Sequence, residues 1–124
     1  MKQVLLLDPD QKIAKSIKNI LEDGKISVQI AVDSQSAIHL ADKKRPDLVI
    51  IELAIADQNG VAFLHEFRSY VDWKNIPIIV HSYPPTVLSN TQRSWKDLGV
   101  SLVLYKPQTS LKKLRINVLD LLDL

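Results

Sequence analysis

Hydrophobic residues are distributed along the chain in two alternating patterns. One pattern consists of short runs of four to six residues, rich in Val, Ile and Leu. Such runs are typical of parallel strands that helices cover on both faces. The runs predict five strands, with bounds Val4–Leu7, Val28–Ala31, Leu48–Leu53, Ile76–Val80 and Leu102–Tyr105.

The other pattern places hydrophobic residues every three or four positions between the runs, which predicts five amphipathic helices. Their hydrophobic stripes are Ile13–Leu21, Ala37–Ala41, Val61–Phe67, Val87–Leu98 and Leu111–Leu122. Helix boundaries are marked by side chains that cap a first turn and by glycines after a last turn. These residues are Asp33 or Ser34, Asn59, Thr109 or Ser110, Gly24 and Gly99.

The alternation of strands and helices predicts an α/β fold with a parallel sheet and helices on both of its faces. We expect a single domain spanning 1–124, because the 124 residues contain no linker, repeat or low-complexity segment. In such a sheet, ligands bind at the carboxyl ends of the strands, where the strand order reverses. Candidate functional residues are therefore expected at the ends of the predicted strands.

Composition and charge exclude several classes of function. The net charge of +2 is too small and too scattered to indicate a nucleic-acid or membrane partner. The lack of cysteine excludes disulfides, thiol nucleophiles, zinc–thiolate sites and iron–sulfur clusters. The three glycines are spaced too widely for a Walker A loop or a GxGxxG turn. We expect a cytoplasmic protein, because no segment resembles a signal peptide or a membrane span.

Polar residues occur at the ends of four predicted strands. Asp8 and Asp10 follow the first strand, and Glu52 lies at the end of the third. Ser82 follows the fourth strand and Lys106 follows the fifth. Because the carboxyl ends of parallel strands meet at one edge of the sheet, we expect these side chains to lie close together. Glu52 should be partly buried and therefore needs a cation or several donors, for which Lys106 is the obvious candidate.

Each of these residues also has a simpler interpretation when it is taken alone. Asp8 or Asp10 can cap the first helix, and a lysine before a proline in a loop is commonly solvated. Ser82 alone carries almost no information about function. The set is more informative than its members, since two or three carboxylates, a hydroxyl and an ammonium group are predicted at one edge.

The chain resembles the response-regulator receiver domain over essentially its whole length. The resemblance is carried by five segments: VLLLDPD at 4–10, PDLVIIEL at 46–53, NG at 59–60, IPIIVHS at 76–82, and LGV and LYKP at 98–107. It implies a flavodoxin-like (βα)5 three-layer sandwich whose five-stranded parallel sheet has the order 2-1-3-4-5.

In that family, two acids after the first strand and an Asp after the third bind Mg²⁺, and this Asp accepts a phosphoryl group from a histidine kinase. A hydroxyl residue and a lysine then contact the phosphoryl oxygens, and an aromatic residue on the fifth strand moves inward. Asp8 matches the first acid, Ser82 the hydroxyl and Lys106 the lysine. The resemblance also implies a cis peptide bond before Pro107.

The sequence departs from the family pattern at the positions that carry the chemistry. Glu52 stands where the phosphoacceptor Asp belongs, and Pro9 stands where the second metal acid belongs. Val103 replaces the aromatic switch residue. Asp8 and Glu52 are then the only carboxylate ligands in place for Mg²⁺, so we expect weak metal binding or none and no cofactor requirement. Asp10 is a candidate to replace the lost acid, although it lies one position late and can cap the first helix instead. Asp8, Asp10 and Glu52 together make up the predicted acidic pocket.

These departures favour an atypical, stand-alone receiver, a pseudo-receiver that is not an enzyme and works without phosphorylation. Glu52 is not expected to be a normal phosphoacceptor, because phosphoryl transfer depends on positioning and on the metal. Its carboxylate partly imitates a phosphorylated Asp. The expected partner is a histidine kinase, a phosphotransfer protein or an output protein.

The binding surface is expected on the fourth helix, fifth strand and fifth helix, and the same face is also a candidate for a symmetric homodimer. Its candidate residues are Trp95, Val103, Tyr105, Lys112 and Arg115. Trp95 has an alternative interpretation as a core residue.

Three alternatives remain open from the sequence. The chain can be a working phosphoacceptor receiver with a tolerant Mg²⁺ site. It can also be a phosphatase of the haloacid dehalogenase type, with Asp8 attacking phosphorus and Asp10 as general acid and base. That class usually has an acidic pair after the lysine and a cap, and neither is evident here. A small-molecule sensor that uses the acidic pocket is the third.

Overall fold

The computed structural model describes residues 1–55, 57, 59–83 and 92–124. Five strands and five α-helices alternate in these residues, as predicted. They are β1 (Lys2–Leu7), α1 (Gln11–Leu21), β2 (Ile26–Ala31), α2 (Ser34–Lys43), β3 (Leu48–Ile51), α3 (Gly60–Ser69), β4 (Ile78–Ser82), α4 (Gln92–Asp97), β5 (Val100–Tyr105) and α5 (Leu111–Leu121). The predicted fourth-helix positions Val87, Leu88 and Thr91 lie outside the described residues.

All five strands are parallel and their order is β2-β1-β3-β4-β5, which confirms the predicted fold. The chain turns from β1 to β2 on one side and then returns to place β3 on the other side of β1. The switch point of the sheet therefore lies between the carboxyl ends of β1 and β3, where Leu7 pairs with Ile51.

Both faces of the sheet are covered by helices, which explains why the strands are almost continuously hydrophobic. Leu5, Leu7 and Ile51 point to the face covered by α2, α3 and α4, where they form one buried cluster. Leu6 and Ile50 belong to a second cluster, on the face covered by α1 and α5. No helix in the described part of the chain is long and apolar enough to cross a membrane.

Four of the helices begin at a residue whose side chain caps the first turn. Where the sequence left two candidates for a cap, the structure selects Asp33 over Ser34 and Ser110 over Thr109. Asp10 caps α1, Asp33 caps α2, Asn59 caps α3 and Ser110 caps α5. Each of these side chains accepts a hydrogen bond from a backbone N–H of the first turn, which is worth about 1 kcal/mol. The caps fix where each helix leaves the carboxyl edge of the sheet.

Some boundaries differ from the prediction for local reasons. The fourth strand begins at Ile78 rather than Ile76, because Pro77 has no N–H to donate to the ladder. The third strand ends at Ile51, so Glu52 and Leu53 lie just beyond it. Two short 3₁₀ turns, Val71–Trp73 and Lys106–Gln108, were not predicted. The second of these turns lies directly at the candidate site.

Candidate functional site

Asp8, Glu52, Ser82 and Lys106 meet at the carboxyl edge of the sheet. Asp8 and Glu52 each follow one of the central strands, and the Glu52 N–H donates to the Leu7 carbonyl at 2.9 Å. Ser82 is the last residue of β4, and Lys106 follows β5. Asp8 is 1% exposed, Glu52 4% and Ser82 0%, so the carboxylates are taken almost completely out of water. Such burial requires partners inside the protein.

Lys106 supplies the positive charge between the two carboxylates. Its Nζ lies 2.8 Å from Asp8 Oδ2 and 2.9 Å from Glu52 Oε1. Burial alone would lower the pKa of Lys106, but its hydrogen bonds to Asp8 and Glu52 outweigh burial and raise that pKa. Lys106 therefore stays protonated, and this charge triad of Asp8, Lys106 and Glu52 has a net charge of −1.

The Glu52 carboxylate is held by further donors. Oε2 accepts hydrogen bonds from the Ser82 hydroxyl and from the Ala54 N–H, the latter at 3.1 Å. Oε1 accepts from the Tyr83 N–H at 3.0 Å as well as from Lys106. Burial would raise the pKa of Glu52, but the hydrogen bonds from Ser82, Lys106 and Ala54 together lower it. Glu52 is thus an ionised carboxylate that fills a cradle of four donors.

Asp10 does not join this group, so its predicted place in the acidic pocket is wrong. Its Oδ1 accepts from the Lys12 and Ile13 N–H groups at 3.1 and 3.3 Å, which turns the carboxylate toward the first turn of α1. The alternative interpretation of Asp10 as a helix cap is confirmed. Only its backbone touches the site, since the Asp10 N–H donates to Asp8 Oδ1 at 2.9 Å.

Mg²⁺ in proteins binds oxygen ligands, and the carboxylate oxygens buried at this edge are those of Asp8 and Glu52. Every oxygen of Asp8 and Glu52 accepts a hydrogen bond from within the protein. The Lys106 ammonium lies between the two carboxylates, where a shared cation would have to bind. Among the described residues, no group of three or more His, Cys, Asp or Glu side chains is arranged to hold a metal.

The peptide bond between Lys106 and Pro107 is trans, which contradicts the expected cis bond. In the trans form the chain turns at once into the 3₁₀ turn Lys106–Gln108. The turn is closed by the Thr109 N–H, which donates to the Lys106 carbonyl at 3.2 Å. The Thr109 hydroxyl also donates to the Tyr105 carbonyl at 2.7 Å.

The residues predicted for the binding surface differ in how exposed they are. Lys112 is exposed, and Val103 and Tyr105 are half-buried on β5. Trp95 is only 5% exposed and packs in the cluster below α4, so its surface role is wrong and the core alternative is confirmed. Arg115 points toward α1, where it donates to the Ile20 carbonyl at 2.8 Å and pairs with Asp23 at 3.0 Å.

Three parts of the arrangement were missed by sequence reasoning. The Ala54 and Tyr83 donors are backbone groups, which have no signature in the side-chain pattern. Asp57 accepts from the backbone and hydroxyl of Ser34, which fastens the segment after β3 to the start of α2. The hydrogen bonds from Ser34 lower the pKa of Asp57. An Asp a few residues after the third strand was the only available signal for this contact.

Comparison with known proteins agrees with the geometry. A family model described as the response regulator receiver domain matches residues 4–118. The chain belongs to the response regulator receiver domain family. Receiver domains are generally signalling domains rather than enzymes, and in two-component systems they interact with histidine kinases and output proteins.

Two curated relatives show the extent of the similarity. A response regulator receiver protein of Anaeromyxobacter sp. (strain Fw109-5) is 32% identical over 86% of this chain and 43% of its own length. The KDP operon transcriptional regulatory protein KdpE of Escherichia coli (strain K12) is 30% identical over 66% of this chain and 35% of its own length. The receiver chain thus spans less than half of the length of these curated relatives.

Solved structures show the same fold. The receiver domain of the Francisella response regulator 1452 has a TM-score of 0.82 and 28% identity, covering 99% of this chain and 98% of that one. A sensor protein from Polaromonas sp. JS666 has a TM-score of 0.86 at 21% identity, covering 98% and 96% of the two chains. The second similarity concerns the fold alone.

Proposed function

We propose that this receiver domain acts without phosphorylation and transmits its signal by binding another protein. The proposal is supported chiefly by the Glu52 carboxylate, which is buried and held by Ser82, Lys106 and two backbone N–H groups. These donors would otherwise be available to an anionic group added at this edge. In this chain the ionised Glu52 side chain already occupies these donors at neutral pH.

Phosphoryl transfer to Glu52 is disfavoured by three features of the site. Both of its oxygens carry hydrogen bonds, which lowers their nucleophilicity and fixes their direction. The side chain is one methylene longer than Asp, and transfer depends strongly on position. Pro9 removes an acid that would help to hold a metal. For the same reasons we propose that Mg²⁺ is not a resident cofactor, and that Lys106 provides the positive charge instead.

The test is phosphorylation by acetyl phosphate and Mg²⁺, followed by intact-mass spectrometry. We compare the wild type with E52D, which restores the shorter acceptor, and with P9D/E52D, which restores the acceptor and the second acid together. Expected are no labelling of the wild type and Mg²⁺-dependent labelling of P9D/E52D. Labelling of the wild type at a rate similar to P9D/E52D, absent in E52Q, would overturn the proposal in favour of a working phosphoacceptor with a tolerant site.

We further propose that the partner binds the face of α4, β5 and α5. β5 is an edge strand whose outer backbone groups are unpaired within the sheet, and Val103 and Tyr105 leave apolar area half-exposed on it. Lys112 adds an exposed positive charge at the start of α5. This surface fits a kinase, phosphotransfer or output protein, or a second copy of the chain.

The partner face is tested by substituting exposed positions on the two edge strands. S101R on β5 places a bulky charge on the proposed face, and Q29R does the same on β2 at the other edge of the sheet. Association, measured by sedimentation for a homodimer and by co-purification with the cognate signalling proteins for a partner, should be lost in S101R and kept in Q29R. Loss of association in Q29R but not in S101R would place the interface at β2 rather than at β5, contrary to the proposal.

A further inference from the structure

The first turn of α2 is bound by two carboxylates that come from different parts of the chain. Asp33, the residue before the helix, accepts from the Ser36 N–H at 2.8 Å and caps α2 in the usual way. Asp57 lies in the segment after β3 and accepts from the Ser34 and Gln35 N–H groups at 3.1 and 3.3 Å. The Ser34 hydroxyl also donates to Asp57. The second carboxylate is therefore present at a helix end that already has a cap.

The hydrogen bonds from Ser34 and Gln35 to Asp57, here called the α2 clasp, join a fixed element to an exposed one. α2 packs against β1 and β2, and Ser34 is 5% exposed. Asp57 is exposed, so its own side-chain packing does not hold it in place. Ordering an exposed segment costs conformational entropy, and a carboxylate bound at a helix N-terminus offsets part of that cost. The α2 clasp therefore fixes the segment that carries Asp57.

The same segment is held at α3 through Leu53. The Leu53 carbonyl accepts from the Gly60 N–H at 2.9 Å and from the Ile55 N–H at 3.2 Å. A Cβ atom on Gly60 would lie only 2.5 Å from the Leu53 Cα, so the start of α3 packs directly against the backbone of Leu53. The chain after β3 is thus attached to α3 at Leu53 and to α2 at Asp57.

Ala54 lies between these two attachments and supplies one donor of the Glu52 cradle. Its N–H donates to Glu52 Oε2 at 3.1 Å. Ala54 is exposed and has only a methyl side chain, so packing around that side chain does not set the direction of its N–H. Ser82, another donor to Glu52, is 0% exposed and is fixed by β4. Among these two donors, the Ala54 N–H is the one that depends on how the neighbouring chain is held.

We propose that Asp57 is a positioning residue of the Glu52 cradle, which holds the Ala54 N–H against Glu52 by fastening the segment after β3 to α2. The α2 clasp couples the position of α2 to the binding of Glu52. A displacement of the first turn of α2 then weakens one donor of the cradle. The inference rests on the proposed function, since it assigns a role within the cradle that holds Glu52.

The experiment compares D57A with the wild type by NMR, using two measurements. In D57A, the Ala54 amide hydrogen should exchange with water at least about tenfold faster. The Glu52 side-chain carboxyl ¹³C signal, followed against pH, should show a pKa that rises toward its ordinary value of 4.5. Loss of the Asp57 charge alone would lower the pKa of Glu52, because it removes a negative charge. A rise therefore reports the lost hydrogen bond.

D33A is the matched control, because it removes the other carboxylate from the start of α2. It should lower the stability of the protein without a rise in the Glu52 pKa, and Ala54 exchange should change by less than about threefold. D57N keeps an oxygen that can accept from Ser34, so both of its effects should lie between those of the wild type and D57A. D57N also provides the test in a variant that retains part of the contact.

Three results would overturn the proposal. The first is a D57A variant whose Ala54 exchange and Glu52 pKa both match the wild type. The second is faster Ala54 exchange with an unchanged or lowered Glu52 pKa, since the Ala54 donor would then not hold the carboxylate. The third is a D33A variant that changes both measurements as much as D57A does. Labelling of the wild type by acetyl phosphate, in contrast, would overturn the proposed function and leave these measurements unaffected.

Discussion

Two basic residues join distant parts of this receiver domain, one at each edge of the sheet. At the carboxyl edge, Lys106 binds the carboxylates of Asp8 and Glu52. At the amino edge, Arg68 of α3 donates to the carbonyl oxygens of Leu98 and Gly99 at 2.7 and 2.9 Å. Arg68 also donates to two further carbonyls, those of Trp73 and Lys74, at 2.7 and 3.0 Å.

The two residues differ in the groups they bind. Arg68 binds only carbonyl oxygens among its described partners, whereas Lys106 binds two carboxylates. Carbonyl oxygens have no proton to gain or lose, so the contacts of Arg68 are the same at any pH at which the protein is folded. Carboxylates can be protonated, can bind metals and can be modified, so the contacts of Lys106 depend on the chemistry of the site. The amino edge is held by neutral acceptors, and the groups that respond to chemistry are collected at the carboxyl edge.

Removing the Lys106 charge should have the largest effect. K106M leaves Asp8 and Glu52 buried beside each other without their counter-ion, so we expect a loss of about 3–5 kcal/mol in the free energy of unfolding at pH 7. The pKa of Glu52 should then rise above its unfolded value, because its burial remains while the hydrogen bond and the charge of Lys106 are lost. Stability of K106M would be greatest below that unfolded value and would fall as the pH rises through the raised pKa.

Urea unfolding of K106M between pH 4 and pH 8 measures this effect. K112M is the matched control, because Lys112 is an exposed lysine whose removal leaves no buried charge. A loss below about 1 kcal/mol for K106M at pH 7 would mean that the carboxylates find other partners or water, contrary to the proposed role of the triad.

Lowering the pH should decrease the free energy of unfolding, because His81 binds a proton more readily in the unfolded chain than in the folded protein. The unfolded chain binds a proton at this histidine near its ordinary pKa of 6.5, whereas the folded protein binds it only near 4. His81 therefore contributes stability above pH 6.5 that is lost as the pH falls toward 4, on the order of 3 kcal/mol. In H81F this part of the pH dependence should be absent, while H39F should keep it. Parallel profiles for the wild type and H81F would contradict the prediction.

At the amino edge, R68M should lower the free energy of unfolding by about 2 kcal/mol, because charged hydrogen bonds to several carbonyl oxygens are lost together. Unlike that of K106M, this loss should be constant between pH 5 and pH 8, since the partners of Arg68 among the described residues are carbonyl oxygens, which do not titrate. R68K should recover part of it, as one ammonium group cannot reach all four carbonyls. A clear pH dependence of the R68M effect would break the contrast between the two edges.

The sequence alone predicted the strands, the helices and most of the site. It could do so because a buried strand appears in the sequence as a hydrophobic run, and the site residues lie directly after such runs. The strands, the order of elements and the meeting of Asp8, Glu52, Ser82 and Lys106 all derive from hydrophobic runs followed by polar residues. The strand order itself came from family resemblance. The same resemblance also led to the wrong expectation of a cis bond before Pro107.

The remaining contacts have no local pattern. Arg68 binds carbonyl oxygens about thirty residues away along the chain, and any sequence has such oxygens at every position. Trp95 lies on a helical stripe that fits a core face as well as an exposed one, so only the packing below α4 decides its burial. Asp10 had two possible partners, and its choice of the α1 cap depends on backbone geometry within one turn.

The smallest expected effect concerns one hydrogen bond within the Glu52 cradle. S82A removes the hydroxyl that donates to Glu52 but leaves Lys106 and the two backbone donors in place. We expect a loss of about 1–2 kcal/mol at pH 7 and a rise in the Glu52 pKa toward its ordinary value of 4.5. Because the lowered pKa stabilises the fold only while Glu52 is ionised, the difference between S82A and the wild type should shrink as the pH falls below 4.5.

The Glu52 side-chain carboxyl ¹³C signal, followed against pH, measures this rise directly. S101A serves as the control, because Ser101 is an exposed serine on β5 and its substitution should change stability by less than about 0.5 kcal/mol. S82T keeps a hydroxyl and should retain most of the lowered pKa. An unchanged Glu52 pKa in S82A would mean that Lys106 and the backbone N–H groups alone keep the carboxylate ionised, and the distinct character of the carboxyl edge would then rest on Lys106.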